Sequence, residues 1–203
     1  MGHELKVLPG GEAAIVEEKL LDDDLMRLVR RGVESAFAAL IRRHQALVLG
    51  YATRFLGDGQ LGREVAQEVF LVVWGERQSY EPQGRFRSYL MTLAHHRCHV
   101  VARQRRSGAA KVAALQVEGT ALSGGEEATA LGQLLAAERQ AELARALLGL
   151  DDKTRAALSL RFSGELSYEE MSAVTGLPEG TLKAQVCRGL RKLHERLFAE
   201  EGP

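Results

Sequence analysis

The chain has few aromatic residues, two cysteines and no long apolar run, and each scarcity excludes a class of protein. Aromatics make up 5% of the 203 residues, whereas alanine, leucine, arginine and glutamate are abundant, which favours helix over sheet. The apolar runs are short and interrupted by charge, so no segment is expected to span a bilayer. Cys98 and Cys187 lie far apart, so two free thiols in a reducing cytosol are expected rather than a disulfide. Residues 1–11 lack the apolar core of a secretory signal, so the expected location is cytoplasmic.

The chain also lacks net charge, with 27 basic and 27 acidic residues, but its charges are segregated. Residues 1–24 contain seven acidic side chains against Lys6 and Lys19. The stretch 85–106 has no acidic residue and carries six arginines: Arg85, Arg87, Arg97, Arg103, Arg105 and Arg106. A protein that contacts both a nucleic acid and a protein partner would need such a division. A solvated surface with a run of like charge is the simpler alternative.

Apolar residues recur at helical spacing through most of the chain, which predicts an all-α protein of two small helical domains. The first domain is predicted to contain helices near 35–55, 60–77 and 86–106, separated by Gly57-Asp58-Gly59 and by a loop at 80–84. Residues 107–129 lose the periodicity and contain four glycines, which predicts a flexible linker. The second domain, residues 130–203, is predicted to contain helices near 130–148, 152–162, 167–175 and 179–198.

The second domain has the features of a helix-turn-helix. Ser167 and Glu170 have the spacing of a capping box, Gly176 can end that short helix, and Pro178 can begin the next one. Two short helices joined by a glycine-containing turn are typical of this motif. On the last helix, the predicted packing stripe is Leu182, Val186, Leu190, Leu193 and Leu197. Hydroxyl, amide and basic groups recur on another side: Thr181, Gln185, Arg188 and Lys192. Such a side can bind base edges and phosphates in a major groove, although an amphipathic helix with an ordinary polar face has the same pattern.

Two sides of the first domain could bind partners. The helix near 60–77 has a partly acidic, partly apolar side: Glu64, Gln67, Glu68 and Leu71. This side could dock against a basic helical partner, or it could simply be solvated. The helix near 86–106 carries aromatic, polar and basic groups on one side: Tyr89, Thr92, His96, His99 and Arg103. Bases of an unpaired strand can stack on such rings while arginines follow the phosphates.

Two features of the helix near 86–106 have alternative interpretations. Arg97 falls within the predicted core stripe, so either its side chain snorkels or the helix is rotated from this estimate. The stripe is Phe86, Leu90, Leu93, Ala94 and Val101. His95, Cys98 and His99 have spacings that would let three metal ligands converge. The sequence contains no second ligand pair, no glycine-rich phosphate loop and no Ser/His/Asp set, so no metal, no cofactor and no enzymatic activity are expected.

In combination, these segments resemble the extracytoplasmic-function (ECF) sigma factors of the sigma-70 family. In the first domain the similar segments are DL at 24–25, AF at 36–37, AQEVFL at 66–71 with Trp74, GRFRSYL at 84–90 and RQRR at 103–106. In the second they are LSLRF at 158–162, LSYEEM at 166–171, GTLK at 180–183 and RGL at 188–190. The resemblance covers residues 22–106 and 140–197, in the order of the family and with a linker between them.

The resemblance implies a role for each domain. The first, residues 22–106, would be sigma region 2. It would bind the clamp helices of core RNA polymerase through Glu64, Gln67, Glu68 and Leu71. The loop at 79–87 and the following helix would recognise and melt the minus-ten promoter element through Arg85, Phe86, Arg87, Tyr89, Thr92, His96, His99 and Arg103. The second domain would be region 4, which would dock on the polymerase flap and read the minus-thirty-five element through Glu179, Thr181, Lys183, Ala184, Gln185, Arg188 and Lys192.

The resemblance also implies partners. Promoter DNA would be bound both as duplex and as a single strand, and the protein would be associated with the nucleoid. Family members are often held inactive by an anti-sigma factor, which can recruit them to the membrane, although this chain is not expected to insert there itself. Residues 1–21 would be an acidic N-terminal extension. The chain departs from the common family pattern at His95-His96 in place of Arg-Asn and at Ala184-Gln185 in place of Ser-Arg, on the faces that would read bases.

A different class of function stays open on the residues alone. A helix-turn-helix transcriptional regulator, with the first domain as a sensing or dimerising bundle, would bind duplex operator DNA by itself, usually as a dimer at a palindrome. A gel shift with and without core polymerase distinguishes the two classes.

Overall fold

The computed structural model describes residues 20–109 and 130–198, which form eight α-helices in two bundles and, within these ranges, no strand. The N-terminal bundle contains α1 (Asp22–Arg30), α2 (Glu34–Leu56), α3 (Gly59–Gly75) and α4 (Phe86–Ala109). The C-terminal bundle contains α5 (Ala130–Leu148), α6 (Asp152–Phe162), α7 (Tyr168–Thr175) and α8 (Glu179–Leu197). The all-α prediction is therefore confirmed. Of the predicted linker, residues 107–109 belong to α4, and the rest lies outside the described residues.

The turn between α2 and α3 has the local signals that the sequence predicts. Gly57 ends α2 in the left-handed conformation, with φ of 68°, which glycine adopts without steric cost. Asp58 then caps α3, because its carboxylate accepts hydrogen bonds from the N–H groups of Gln60 and Leu61 at 2.9 and 3.0 Å. Helices α2 and α3 are thus joined by a sharp turn.

The helix-turn-helix is built as predicted from α7 and α8. The Ser167 hydroxyl accepts a hydrogen bond from the Glu170 N–H at 3.1 Å, and the Ser167 N–H donates to the Glu170 carboxylate at 2.7 Å, which completes the capping box. Gly176 ends α7 with φ of 70°, and Pro178 directly precedes α8. The local signals therefore determine both ends of α7 and the start of α8.

Helix α1 is an element that the sequence pattern did not predict. Asp22, Asp23 and Asp24 form its first turn, where negative charge interacts favourably with the helix dipole. Its buried side is formed by Leu25, Met26 and Val29. A three-turn helix has too few periodic positions to stand out, so the acidic first turn was the available signal.

Helix α4 is rotated relative to the predicted stripe. The fully buried side chains are Phe86, Leu90, Met91, Ala94 and Cys98, whereas the predicted core residues Leu93 and Val101 are half-buried. The rotation moves Arg97 to the edge of the helix, beside α3. Of the two interpretations of Arg97, rotation of the helix is therefore the one that the burial pattern supports.

The two bundles contact each other, with α2 against α5 and α6, and α4 against α7. The Arg87 guanidinium donates a hydrogen bond to the carbonyl of Gly164, and Arg106 forms an ion pair with Asp152 at 2.6 Å. The guanidinium of Arg155 lies over the ring of Phe55, 5.1 Å from its centroid. Part of α4 is thus covered by the C-terminal bundle. No helix within residues 20–109 and 130–198 is long and apolar enough to cross a membrane.

Candidate functional site

The predicted docking side of α3 faces solvent. Glu64 and Gln67 are exposed, and Leu71 is 62% exposed although most apolar residues of α3 are buried. Glu68 is half-exposed and accepts hydrogen bonds from two guanidinium nitrogens of Arg97, one of them at 2.7 Å. Charged and apolar groups therefore share one accessible side, where the Glu68 carboxylate is already paired within the chain.

An aromatic cluster lies where the loop at 76–85 meets the start of α4. The ring of Tyr80 lies 5.8 Å from that of Phe86 and 5.1 Å from that of Tyr89. Of the predicted minus-ten residues here, Arg85 is exposed, Arg87 and Tyr89 are half-buried, and Phe86 is 2% exposed. Phe86 can therefore support the neighbouring side chains but presents almost no surface to a ligand.

Sequence reasoning missed the residues that hold this loop. Asp23 accepts hydrogen bonds from the Tyr80 hydroxyl, at 2.8 Å, and from the Gly84 N–H. Arg30 donates to the Tyr80 carbonyl at 3.3 Å, and its own carbonyl accepts from the Gln78 amide at 2.6 Å. Asp23 and Arg30 both belong to α1, which was not predicted, so their role could not be inferred from spacing.

Beyond its first turn, α4 has an exposed side and a half-buried histidine pair. Thr92, His96 and Arg103 are exposed, as a nucleic-acid contact requires. His95 lies between α4 and α2, where its Nδ1 is 2.8 Å from the hydroxyl of Tyr51. The His99 ring lies 4.5 Å from that of His95 and 4.8 Å from that of Phe55. The pair therefore packs partly within the protein.

Burial controls protonation in this part of α4. It lowers the pKa of His95 to about 4, assisted by the nearby His99 and His96. It also lowers the pKa of His99, with Arg106 and Arg155 acting in the same direction and Asp152 opposing them. Burial raises the pKa of the Cys98 thiol to about 12, so the thiol stays protonated. Residues 20–109 and 130–198 contain no group of three histidine, cysteine or acidic side chains placed to hold a metal ion.

The predicted reading side of α8 is largely accessible. Exposed members of the predicted minus-thirty-five set are Glu179, Thr181, Lys183, Ala184, Arg188 and Lys192. Gln185 differs, being 7% exposed, because it lies at helical spacing between the buried Leu182 and Gly189. Its polar side chain is the reason that the sequence pattern places it on the exposed polar side of the helix. Conversely Leu190, predicted to lie in the packing stripe, is 45% exposed.

An apolar groove of about 300 Å³ opens beside Leu190. Its partly exposed apolar walls are formed by Leu143, Phe162 and Leu190, and Arg54 of α2 also lines it. Exposed apolar patches rimmed by polar groups mark interaction sites in many soluble proteins. The C-terminal bundle therefore has an accessible apolar groove in addition to the side that carries Arg188.

Comparison with known proteins finds relatives for both bundles. A family model for Sigma-70 region 2 matches residues 40–107, and one for Sigma-70, region 4 matches residues 140–193. The RNA polymerase sigma-H factor of Pseudomonas aeruginosa is 30% identical over 183 residues, which cover 87% of this chain and 93% of that protein. The ECF RNA polymerase sigma-E factor of Escherichia coli is 26% identical over 186 residues, which cover 90% and 97%.

Two solved structures share the fold. The structure of CnrH in complex with the cytosolic domain of CnrY has a TM-score of 0.66 at 22% identity and covers 89% of this chain and 99% of that one. The sigma factor RpoE of Bartonella quintana, solved with the anti-sigma factor NepR, has a TM-score of 0.64 at 20% identity and covers 79% and 96%. The matches include both bundles in order and do not favour a helix-turn-helix regulator. The chain belongs to the ECF sigma factors of the sigma-70 family.

Proposed function

We propose that this chain is a dissociable promoter-specificity subunit of RNA polymerase and is not itself an enzyme. The N-terminal bundle would bind the clamp helices of core polymerase and open the minus-ten element. The C-terminal bundle would read the minus-thirty-five element and dock on the flap. The observation that carries the proposal is the division of the N-terminal bundle into an exposed acidic and apolar side on α3 and an acid-free, arginine-bearing side on the adjacent α4.

The side of α3 is suited to a protein partner. Leu71 is 62% and Val72 is 38% exposed, so apolar area is available for burial. Gln67 and Glu64 flank it with groups that can donate or accept hydrogen bonds and attract a basic partner. Apolar centres with polar rims are the usual composition of protein interfaces. We therefore propose that core polymerase binds α3 through Glu64, Gln67, Glu68 and Leu71.

The side of α4 is suited to a separated DNA strand. The whole of Phe86–Ala109 contains no carboxylate that would repel phosphate. Arg85 and Arg103 are exposed near the two ends of the helix, with Thr92 and His96 exposed between them and the half-buried ring of Tyr89 near the loop. Unstacking a base costs a few kcal/mol, which is comparable to the ~1–3 kcal/mol that stacking on an aromatic side chain contributes. We propose that Phe86 supports this surface rather than contacts bases.

Helix α8 is suited to the major groove of a duplex. Thr181 and Arg188 are exposed on one side of it, and Leu182 and Val186 anchor the opposite side in the core. The exposed Lys192 extends the basic side toward the C-terminus of the helix. Its Nζ lies 3.8 Å from Oδ2 of Asp151. We propose that Gln185 positions α8 instead of reading a base, since it is buried.

Simultaneous use of both bundles requires them to separate. The two promoter elements are named for positions roughly 25 base pairs apart, which is about 85 Å along B-DNA at ~3.4 Å per pair. Bundles that touch through Arg87–Gly164 and Arg106–Asp152 cannot reach both elements. The compact arrangement would therefore open when the chain binds polymerase. An anti-sigma factor is a proposed second partner, because the RpoE relative of similar fold was solved with one, and a partner that kept the bundles together would keep the protein inactive.

Run-off transcription with purified core polymerase on a promoter library tests the proposal. The chain should direct core polymerase to a defined set of promoters. Replacing Gln67 and Glu68 together by alanine should lower the transcript yield by more than about ten-fold, the effect of losing a central interface contact. The matched control replaces Glu138 and Gln140, an exposed pair of the same types on α5, and should leave the yield within two-fold.

Two results would contradict the proposal. If the purified chain forms no complex with core polymerase but binds duplex operator DNA unaided, the regulator alternative replaces it. If the Gln67 and Glu68 double variant transcribes normally, the assignment of α3 as the docking helix is wrong.

A further inference from the structure

A single carboxylate of α1 is bonded to a loop that lies more than fifty residues away in the sequence. Asp23 Oδ1 accepts from the Tyr80 hydroxyl at 2.8 Å, and Asp23 Oδ2 accepts from the Gly84 N–H. Both partners belong to the loop at 76–85, which joins α3 to α4 and ends directly before Phe86. Both carboxylate oxygens of Asp23 therefore bind the same loop, to which Asp23 itself does not belong.

The outer half of this loop has little support of its own. Within residues 20–109, main-chain hydrogen bonds outside the helices involve residues 76, 77, 79 and 85 of the loop, and none involves residues 80–84. Besides the two bonds to Asp23, the loop is tied to α1 through Arg30, which bonds to Tyr80 and Gln78. Burial and the Asp23 carboxylate raise the pKa of Tyr80, so its hydroxyl stays protonated and available as a donor.

The position of this loop determines where the DNA-facing groups stand. Tyr80 is 8% exposed and packs against the rings of Phe86 and Tyr89. Gly84, whose φ is +71°, directly precedes the exposed Arg85. Because Asp23 binds at Tyr80 and at Gly84, it fixes both ends of the segment that leads into α4.

We propose that Asp23 is a positioning residue for minus-ten recognition, acting through Tyr80 and Gly84 on Arg85 and Tyr89. The inference rests on the proposed function. Ordering a loop at the moment of binding costs free energy that a preorganised loop has already met during folding. Loss of Asp23 should therefore weaken capture of the minus-ten strand while the docking side on α3 stays intact.

The three consecutive aspartates of α1 provide matched variants, because each has different partners. Asp22 binds Arg43 and His44 of α2, whereas Asp24 pairs with Arg27 within α1 on an exposed side. Asp23→Asn keeps the size of the side chain, but its NH₂ group accepts no hydrogen bond, so the remaining carbonyl oxygen can replace just one of the two carboxylate oxygens that accept from the Tyr80 hydroxyl and the Gly84 N–H. Asp24→Asn removes the same charge from the same helical turn without affecting the loop. Tyr80→Phe removes one of the two bonds.

The first measurement uses the full chain bound to core polymerase. Its probe is the fluorescent non-template minus-ten strand of the promoter that the run-off experiment selects, compared with a scrambled strand. Asp23→Asn should weaken binding of the selected strand by about ten-fold, the loss expected for hydrogen bonds to a charged group. Tyr80→Phe should weaken it less, and Asp24→Asn should not change it. Affinity for core polymerase should stay within two-fold in all three, which a general loss of structure would not allow.

The second measurement is amide hydrogen exchange of the free chain. Asp23→Asn should speed exchange in residues 80–85 while α2 and α3 keep their protection. Unchanged strand binding with Asp23→Asn, or equal losses with Asp23→Asn and Asp24→Asn, would overturn the inference. If the wild-type chain forms no polymerase complex, the proposed function fails. Hydrogen exchange in the free chain still tests the inference in that case, because unchanged exchange of residues 80–85 in Asp23→Asn would overturn it.

Discussion

The functional candidates of the two bundles differ in how they are held. In the N-terminal bundle, Glu68 is paired with Arg97, Arg87 is bonded to the Gly164 carbonyl, and His99 is packed against Phe55. In the C-terminal bundle, Thr181 and Arg188 lie exposed on a helix whose opposite side is buried. The α8 residues therefore lie on an exposed surface, where Lys183 pairs with Glu179 and Lys192 with Asp151 inside the same bundle. The N-terminal candidates include contacts to a buried ring and to the other bundle, which binding of a partner would have to exchange.

This difference matches the two tasks proposed for the bundles. A rigid surface lowers the entropy cost of reading a duplex that needs no rearrangement. Opening a duplex is a stepwise process, and half-exposed ion pairs of about 0.2–1 kcal/mol each can be replaced one by one at small cost. The N-terminal bundle thus combines a well-packed core with surface contacts that are easily exchanged.

The largest expected effect comes from removing Phe86, a buried ring that supports the exposed groups of the N-terminal bundle. Phe86→Ala should lower the free energy of unfolding by about 3–5 kcal/mol, because it leaves a cavity among buried rings. Phe162→Ala in the C-terminal bundle is the matched control, since Phe162 is 60% exposed, and should change stability by less than ~0.5 kcal/mol. Urea denaturation followed by circular dichroism measures both. Equal losses would show that Phe86 is not a core residue.

Acid should affect the two bundles unequally. The folded pKa of His95 is about 4 against an unfolded value of 6.5, so the unfolded chain takes up a proton that the folded chain refuses as the pH falls through this window. Stability should therefore be retained above pH 6.5 and decrease by about 2 kcal/mol by pH 4.5. The exposed His194 of the C-terminal bundle provides a control position for this prediction.

The acid prediction is checked by urea denaturation at several pH values. His95→Gln should reduce the slope of stability against pH in this window, whereas the control His194→Gln should leave it unchanged. An identical slope in wild type and His95→Gln would contradict the assignment of the effect to His95.

The reading surface of α8 is tested by two arginines on one helix. Arg188→Ala should weaken binding of the holoenzyme to a minus-thirty-five duplex by about 1–3 kcal/mol if the guanidinium contacts a base edge. Arg191→Ala, an exposed neighbour paired with Glu195, should have a smaller effect that is the same for all sequences. Fluorescence anisotropy on selected and scrambled duplexes measures both. Equal and sequence-independent losses would remove Arg188 from the reading side.

The smallest expected effect concerns the contact between the bundles. Arg106→Gln removes the ion pair with Asp152, which is worth about 0.2–1 kcal/mol because Arg106 is exposed, and it leaves the pair between Asp152 and the buried Arg155 in place. The fraction of compact molecules, measured by energy transfer between one label on each bundle, should decrease slightly. The control Glu195→Gln, which affects an ion pair within α8, should not change it. An equal change in both variants would contradict a role for Arg106 in holding the bundles together.

Seven of the eight helices could be predicted to within two or three residues at either end because their limits are local. Gly57, Asp58, Ser167 and Gly176 act on backbone groups no more than four residues away. Helix α1 was missed because it is short and is stabilised by its packing on the rest of the bundle. The burial of Gln185 and the exposure of Leu190 were missed for a related reason, since residue type does not reveal which side of a helix faces its neighbours.

The sequence by itself determined the all-helical class, the limits of the seven predicted helices and the separation of acidic from basic stretches, since propensity, capping and charge depend on near neighbours in the chain. The tertiary structure alone decided the rotation of α4, the pairing of Arg97 with Glu68 and the two bonds from Asp23 to its loop. Those contacts join residues 29 to 61 positions apart. They form when packing brings distant surfaces together, and no short-range pattern specifies them.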